Sequence, residues 1–266
     1  MCFGTHRSVK SALDWWRGPG MIPSPMSRAM RIFGRIAALS TLLLVGALVY
    51  VTWTIANPSV EILPLAEALV SADSERGRMM RDRAVDRADL EALGLHFEPQ
   101  QYASYCGVAS SVIALNAIGT AGTPLTQDTF FRQPASDVRG RWSTFFGGMS
   151  LGQLGELLGA HGARVEVVHV GDTTLGAFRA AARENLARSG DVVLVNYLRA
   201  AIDQKSGGHI SPLAAYDEES DRFLVLDVST YKYPSVWVKA DAMFDAMNTT
   251  DSASNQSRGY VLVGRG

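Results

Sequence analysis

Residues 36–56 read IAALSTLLLVGALVYVTWTIA, an unbroken uncharged stretch that restricts the chain more than any other feature. At about 1.5 Å of rise per helical residue, such a run matches a bilayer core of roughly 30 Å. No polar face interrupts it, so it fits a buried helix of a soluble domain poorly. Arg28, Arg31 and Arg35 stand just before it, and Glu61 and Glu67 follow. The positive-inside rule then holds the N-terminal side in the cytoplasm and carries the body across the membrane, to a periplasmic or other extracytoplasmic side. Tyr50 and Trp53, near the far end, suit an interfacial aromatic belt. The competing reading is a signal peptide cleaved between Thr54-Ile55-Ala56 and Asn57-Pro58; the length of the run favours an uncleaved anchor.

This divides the chain into a basic disordered tail at 1–35, a transmembrane anchor or signal peptide at 36–56, a linker at 57–69 and a folded domain at 70–266. The tail holds Gly18-Pro19-Gly20 and Pro23, and Met21, Met26 and Met30 offer alternative starts. The charged run at 76–89 reads as a solvated helix face or connector. With 47% apolar and 19% charged residues the chain can bury a substantial core. The formal net charge of −1 hides six Arg/Lys against Asp14 in the first 35 residues. The remainder is mildly acidic and gives no basic footprint for nucleic acid. Two cysteines, Cys2 and Cys106, exclude a disulfide framework or a cysteine-rich metal cluster.

After Gln100-Gln101 the text becomes CGVASSVIALNAIG, with Val108, Val112 and Leu115 at helical spacing and Gly119 as a stop. Ser150 with Gln153 predicts a capping box, followed by an apolar helix closed by Gly162. A strand at 164–170, a helix at 175–188 and strands at 191–197, 209–216, 222–228, 235–238 and 258–264 complete the pattern. Helices precede a run of strands, so the class is α+β: a helical part packed on a mostly antiparallel sheet, preceded by one N-terminal transmembrane helix.

Cys106 falls at a helix N-terminus, where unpaired backbone N–H groups favour a thiolate. Gly107 beside it leaves room for a ligand near the backbone. The Cys106 amide and a side-chain donor could hold an oxyanion; Gln100 suits that role, and equally suits a loop residue bonded to backbone. The strands at 209–216 and 222–228 are joined by DEESD, so pairing about Glu219 makes His209 and Asp227 near-opposite neighbours. A carboxylate there would fix the imidazole tautomer and leave the other ring nitrogen for the thiol. Gly207-Gly208 gives space around the ring. His6, His96, His161 and His169 have weaker cases, with His161 read as a solvated helix cap and His169 as a surface strand residue.

The segments QYASYCGVASSVIALNA, GGHISPLAAYDEESDRFLVLDVSTYKYPSVWV and SRGYVLV resemble, in order and over about residues 70–264, the catalytic domain of phytochelatin synthases. The resemblance implies a papain-like fold, with Cys106 as nucleophile on the glycyl amide of glutathione and a γ-glutamylcysteinyl thioester as intermediate. It implies His209 as base and then acid, Asp227 as orienting acid, and Gln100 with the Cys106 amide as oxyanion hole. Arg258 and Asn196 match substrate-contacting positions, and Gly107 and Gly208 join them at the substrate. No cysteine-rich extension follows the last strand, so the likeness is to short prokaryotic members, and hydrolysis to γ-glutamylcysteine and glycine is expected ahead of polymer synthesis. No cofactor or protein metal site is expected; Cd²⁺ or Zn²⁺ would arrive as a thiolate complex of the substrate. Glutathione and the membrane are the expected partners, with room for a homodimer. A papain-like peptidase or amidase acting on another peptide is the alternative.

Overall fold

The computed structural model describes residues 1, 28–120, 122–205 and 207–266. Cys2, Met21, Met26 and most of the expected disordered tail lie outside the described residues. Helix α1 spans Arg28–Ala56. Arg28, Arg31 and Arg35 are therefore helical rather than part of a disordered tail, since Arg, Met and Ala are good helix formers and extend the apolar run backwards. The stretch Met30–Ala56 is long and apolar enough to cross a membrane.

From Tyr50 onward the chain forms a separate folded body. Its elements are β1 (Val70–Ser71), α2 (Glu75–Arg83), α3 (Leu90–Leu95), α4 (Cys106–Ile118), α5 (Ala135–Val138), α6 (Arg141–Gly147) and α7 (Leu151–Ala160). They are followed by β2 (Ala163–His169), α8 (Leu175–Leu186), β3 (Asp191–Leu198), β4 (Gly208–Asp217), β5 (Arg222–Val225), β6 (Val236–Lys239) and α9 (Ala240–Met247). A short pair, β7 (Thr250–Asp251) and β8 (Gln256–Ser257), precedes the last strand, β9 (Gly259–Arg265).

The helix boundaries follow local chemistry. Ser150 and Gln153 form the reciprocal capping box at the start of α7. Gly119 takes a left-handed conformation, φ 69°, at the end of α4 and closes it. Helix α4 is apolar on nearly every side, and all of Val108, Val112, Ile113 and Leu115 are buried. It is a core helix, which explains why its pattern shows no polar stripe.

Seven strands form one sheet in the order β1-β6-β5-β4-β3-β9-β2, and every neighbouring pair is antiparallel. Successive residues of β3 point to opposite faces. Val192 and Leu194 join the core with α4 and α7, whereas Val193, Val195 and Tyr197 join a second core with α8 and α9. The sheet is thus covered on both faces, which is why β3 reads as a continuous apolar run rather than an alternating one.

The last strand is inserted between β3 and β2, and its first residue tolerates no side chain. A Cβ on Gly259 would lie 2.0 Å from the Val168 carbonyl oxygen and 3.0 Å from the His169 Cα. Backbone cannot yield as a flexible side chain can, so Gly259→Ala is expected to destabilise the body by about 3 kcal/mol or more. Chemical denaturation should show this as a lower midpoint at unchanged slope.

The stretch 57–69 is tied to the body rather than a free linker. The Glu61 and Leu63 amides donate to the Tyr231 and Lys232 carbonyls at 2.9 and 3.0 Å, and Arg222 donates to Ala68 O at 2.7 Å. The charged run at 76–89 is likewise more than a solvated face. Arg83 makes a two-pronged bond to Asp217 at 2.6 and 2.7 Å, and the buried Trp237 indole donates to Gly77 O at 3.1 Å.

Candidate active site

Cys106 is the first residue of α4, His209 the second of β4, and Asp227 lies two residues beyond β5. From the turn, the β4–β5 ladder pairs Asp217 with Arg222, Tyr216 with Phe223 and Ala215 with Leu224, passes a bulge, and ends at Leu213 paired with Val225. His209 and Asp227 are therefore not ladder partners, and Asp227 sits on the loop that leaves the sheet. They meet all the same: His209 Nε2 lies 3.0 Å from Asp227 Oδ1. Register arithmetic placed the two close together, and the loop turn after Val225 makes the contact.

His209 Nε2 also lies 2.9 Å from Ser211 Oγ. With Nε2 donating to the carboxylate, Nδ1 is the nitrogen left to accept a proton. Asp227 is fully buried, and its Oδ1 also accepts from Arg199 at 2.7 Å and from the Ser229 amide at 2.9 Å. Arg199 escaped sequence reasoning. It occupies the 3-10 turn Arg199–Ile202 after β3, is itself buried, bonds Gln204, and stacks 5.2 Å above the Tyr233 ring. A lone arginine at the end of an apolar strand was the available signal, because a buried guanidinium requires an acid partner.

These charges decide the protonation states. Burial alone would raise the Asp227 pKa, but His209 and Arg199 hold the carboxylate well below the usual range. Burial and the Arg199 charge push His209 down to about 4, against the opposing pull of Asp227. Desolvation and Arg199 together outweigh Asp227, which holds the imidazole toward its neutral form. The Cys106 thiol is raised by burial, which outweighs the Ile210 amide, the Arg199 charge and the Gly107 amide. The direction is opposite to the expected helix-lowered thiolate, because burial outweighs the field of the helix end. Alkylation of Cys106 by iodoacetamide, followed by peptide mass spectrometry to separate it from Cys2, should then rise with pH through a midpoint above the ordinary 9.0. A midpoint below that value would show a preformed ion pair.

A cleft of about 390 Å³ opens over these groups, lined by Cys106, His209, Gly208, Asn196, Arg258, Asp251, Phe146 and Met149. Its size falls within the range of small-molecule sites. Asn196 Nδ2 reaches Asp251 Oδ2 at 3.4 Å, Arg258 donates to Thr250 O at 2.7 Å, and its Nη2 lies 3.7 Å from Asp251 Oδ1. Arg258 Nε is buried without a partner. Asp251, hidden in the polar text NTTDSAS, is a second cleft residue that sequence reasoning missed.

Two glycines have different reasons. A Cβ on Gly208 would come within 2.9 Å of Arg258 Nη2, so Gly208 lets the guanidinium lie across β4. A Cβ on Gly107 would meet Met149 Sδ at 2.6 Å and Ile210 Cδ1 at 3.1 Å. Gly107 is buried under Met149 rather than on the cleft wall, so its role here is packing of α4 on β4 and not ligand approach.

Gln100 is also buried. Its Nε2 lies 2.8 and 2.9 Å from the Tyr102 and Ala103 carbonyls, and its Oε1 accepts from Ser229 Oγ at 2.6 Å. Both amide protons thus rest on the loop before α4, and an oxyanion role would require Gln100 to release one of them. Because Ser229 also donates to Asp227, Gln100 links that loop to the acid. His161, expected as a solvated cap, stacks on Phe130 at 4.8 Å and bonds its carbonyl; burial lowers its pKa, so it is no cation on the helix end. His169 bonds the Ser257 carbonyl. Among the described residues no three His, Cys, Asp or Glu side chains converge as a metal cluster.

The family model described as phytochelatin synthase matches residues 60–260. The chain belongs to the phytochelatin synthase family. Glutathione gamma-glutamylcysteinyltransferase 3 of Lotus japonicus is 28% identical over 222 residues, covering 77% of this chain and 44% of its own length. The corresponding protein 1 of Triticum aestivum is 30% identical, with 77% of this chain and 42% of its own covered. That of Schizosaccharomyces pombe is 26% identical over 205 residues, with 75% and 50% covered. The chain spans about half the length of the curated relatives it matches. The phytochelatin synthase match holds Cys106, His209, Asp227, Arg199 and the whole cleft apart from Ile55.

Proposed function

We propose that this chain cleaves glutathione between its cysteinyl and glycyl residues through a thioester on Cys106, on a papain-like scaffold. The observation that carries the reading is the His209–Asp227 bond through Nε2, which leaves Nδ1 as the unprotonated ring nitrogen, with His209 and Cys106 lining the same cleft. Attack begins from the neutral pair. The thiol proton passes to His209 Nδ1 as sulfur adds to the amide carbon, so the imidazolium forms only when Asp227 can stabilise it. The oxyanion falls near the N-terminal N–H groups of α4, which have no intrahelical acceptors. His209 then delivers the proton to the departing glycine nitrogen, and the γ-glutamylcysteinyl thioester remains.

Water, or the amino group of a second glutathione, then attacks the thioester. His209 takes the attacking group's proton and returns it to the sulfur. Hydrolysis gives γ-glutamylcysteine; transfer gives the first phytochelatin. Arg258 suits a glutathione carboxylate, with Asn196 beside it, and Asp251 suits the ammonium group. Soft metals enter as thiolate complexes of glutathione and need no ligand from the protein. Helix α1 serves as a membrane anchor, with the body on the extracytoplasmic side.

Incubating the full chain with glutathione, with and without Cd²⁺, tests the reading. Free glycine with γ-glutamylcysteine or longer chains is the expected outcome. Intact glutathione alongside turnover of unrelated peptide amides would assign the cleft to a different peptidase.

A further inference from the structure

Helix α6 turns two large aromatic side chains outward. Trp142 and Phe146 are four residues apart, hence on one face, and are 68% and 50% exposed, while Thr144 and Phe145 between them are buried. The two rings lie 6.5 Å apart at 26°. Trp142, with Tyr102, Tyr105 and Phe145, lines a mostly apolar groove whose remaining wall is Thr52, Ala56 and Arg141, all within the body that begins at Tyr50. Thr52 and Ala56 belong to the last turns of α1.

The charge pattern of α1 fixes where a bilayer would end. Arg35 is the last charged residue before Ala56, and about 20 helical residues cross the hydrocarbon of roughly 30 Å. The far boundary therefore falls on the turns that contain Thr52 and Ala56. An exposed tryptophan and phenylalanine beside that boundary have the chemistry of an interfacial aromatic belt. We propose that the outer face of α6, through Trp142 and Phe146, seats in the headgroup region of the bilayer that α1 crosses. The proposal rests on the anchor reading of α1. Phe146 also lines the catalytic cleft, so this seating sets one rim of the cleft against the lipid surface.

Fluorescence quenching in nanodiscs tests it on the full chain. In a Trp15→Phe, Trp16→Phe, Trp53→Phe background, the signal lost on adding Trp142→Phe belongs to Trp142. A matching pair that retains Trp53 and carries Trp142→Phe reports the anchor in the same way, and buried Trp237 is common to all. Lipids brominated near the carbonyl end of the acyl chain should quench Trp142 to an extent comparable with Trp53. Quenching of Trp53 without Trp142 would overturn the seating and leave the anchor standing. Quenching of neither would overturn both. A Trp142 shielded from aqueous acrylamide yet untouched by brominated lipid would assign the patch to a protein partner and likewise overturn the proposal.

Discussion

Cys106→Ala is expected to leave the body folded and to lower glycine release from glutathione by on the order of 10⁴-fold or more. The thiol is half-buried at the first position of α4, so its removal leaves no large cavity and no unpaired charge. The change in stability should stay within about 1 kcal/mol. Cys106→Ser keeps the volume but replaces the nucleophile by a hydroxyl, which a neutral imidazole activates far less readily. Amino-acid analysis of the products, read beside thermal unfolding of the same samples, separates loss of chemistry from loss of fold. Glycine release at the parental rate from Cys106→Ala would remove the thioester route.

Arg199→Met is expected to act on both stability and pH dependence. It takes a cation from a buried carboxylate, a change that costs about 3–5 kcal/mol when the remaining charge has no other compensation. His209 can supply that compensation by taking a proton. Without Arg199, which holds its pKa down, His209 should titrate higher than the parental value of about 4. Because the folded variant then holds the His209 proton to a higher pH than the folded parent, it gains stability relative to the parent below its own His209 pKa and loses that gain as pH rises through it. The variant should therefore lie closest to the parent at mildly acidic pH and fall away from it toward neutrality. The acid limb of kcat/KM should shift upward from the parental value, about 4 by the His209 titration. A variant that is destabilised equally at every pH, with an unmoved acid limb, would make Arg199 a packing residue with no hold on the imidazole.

Much of this was legible because local chemistry decided it. The Ser150–Gln153 capping box and the left-handed Gly119 mark helix ends through bonds made within a few residues. The apolar strand at 191–197 announces itself because β3 is buried on both faces. What stayed hidden depends on contacts between distant segments. Nothing near Arg199 says that Asp227 will meet it across the sheet, and nothing near Asp251 says that Asn196 and Arg258 will. Helix α9 is too short and follows β6 too closely for its period to stand out. Gln100 was placed near the site by its spacing from Cys106, whereas its bonds to the Tyr102 and Ala103 carbonyls and to Ser229 depend on how the loop folds and were not visible. The thiol was misjudged for an electrostatic reason, since position at a helix end was visible in sequence and the burial that outweighs it was not.

The central claim is a covalent γ-glutamylcysteinyl group on Cys106, and rapid acid quenching with intact-mass analysis addresses it directly. Full-length chain mixed with glutathione and quenched within a turnover should gain the mass of one γ-glutamylcysteinyl group, mapped to the peptide that contains Cys106 and absent from Cys106→Ala. Glycine release with no such adduct under any quench time, or an adduct on another residue, would contradict it.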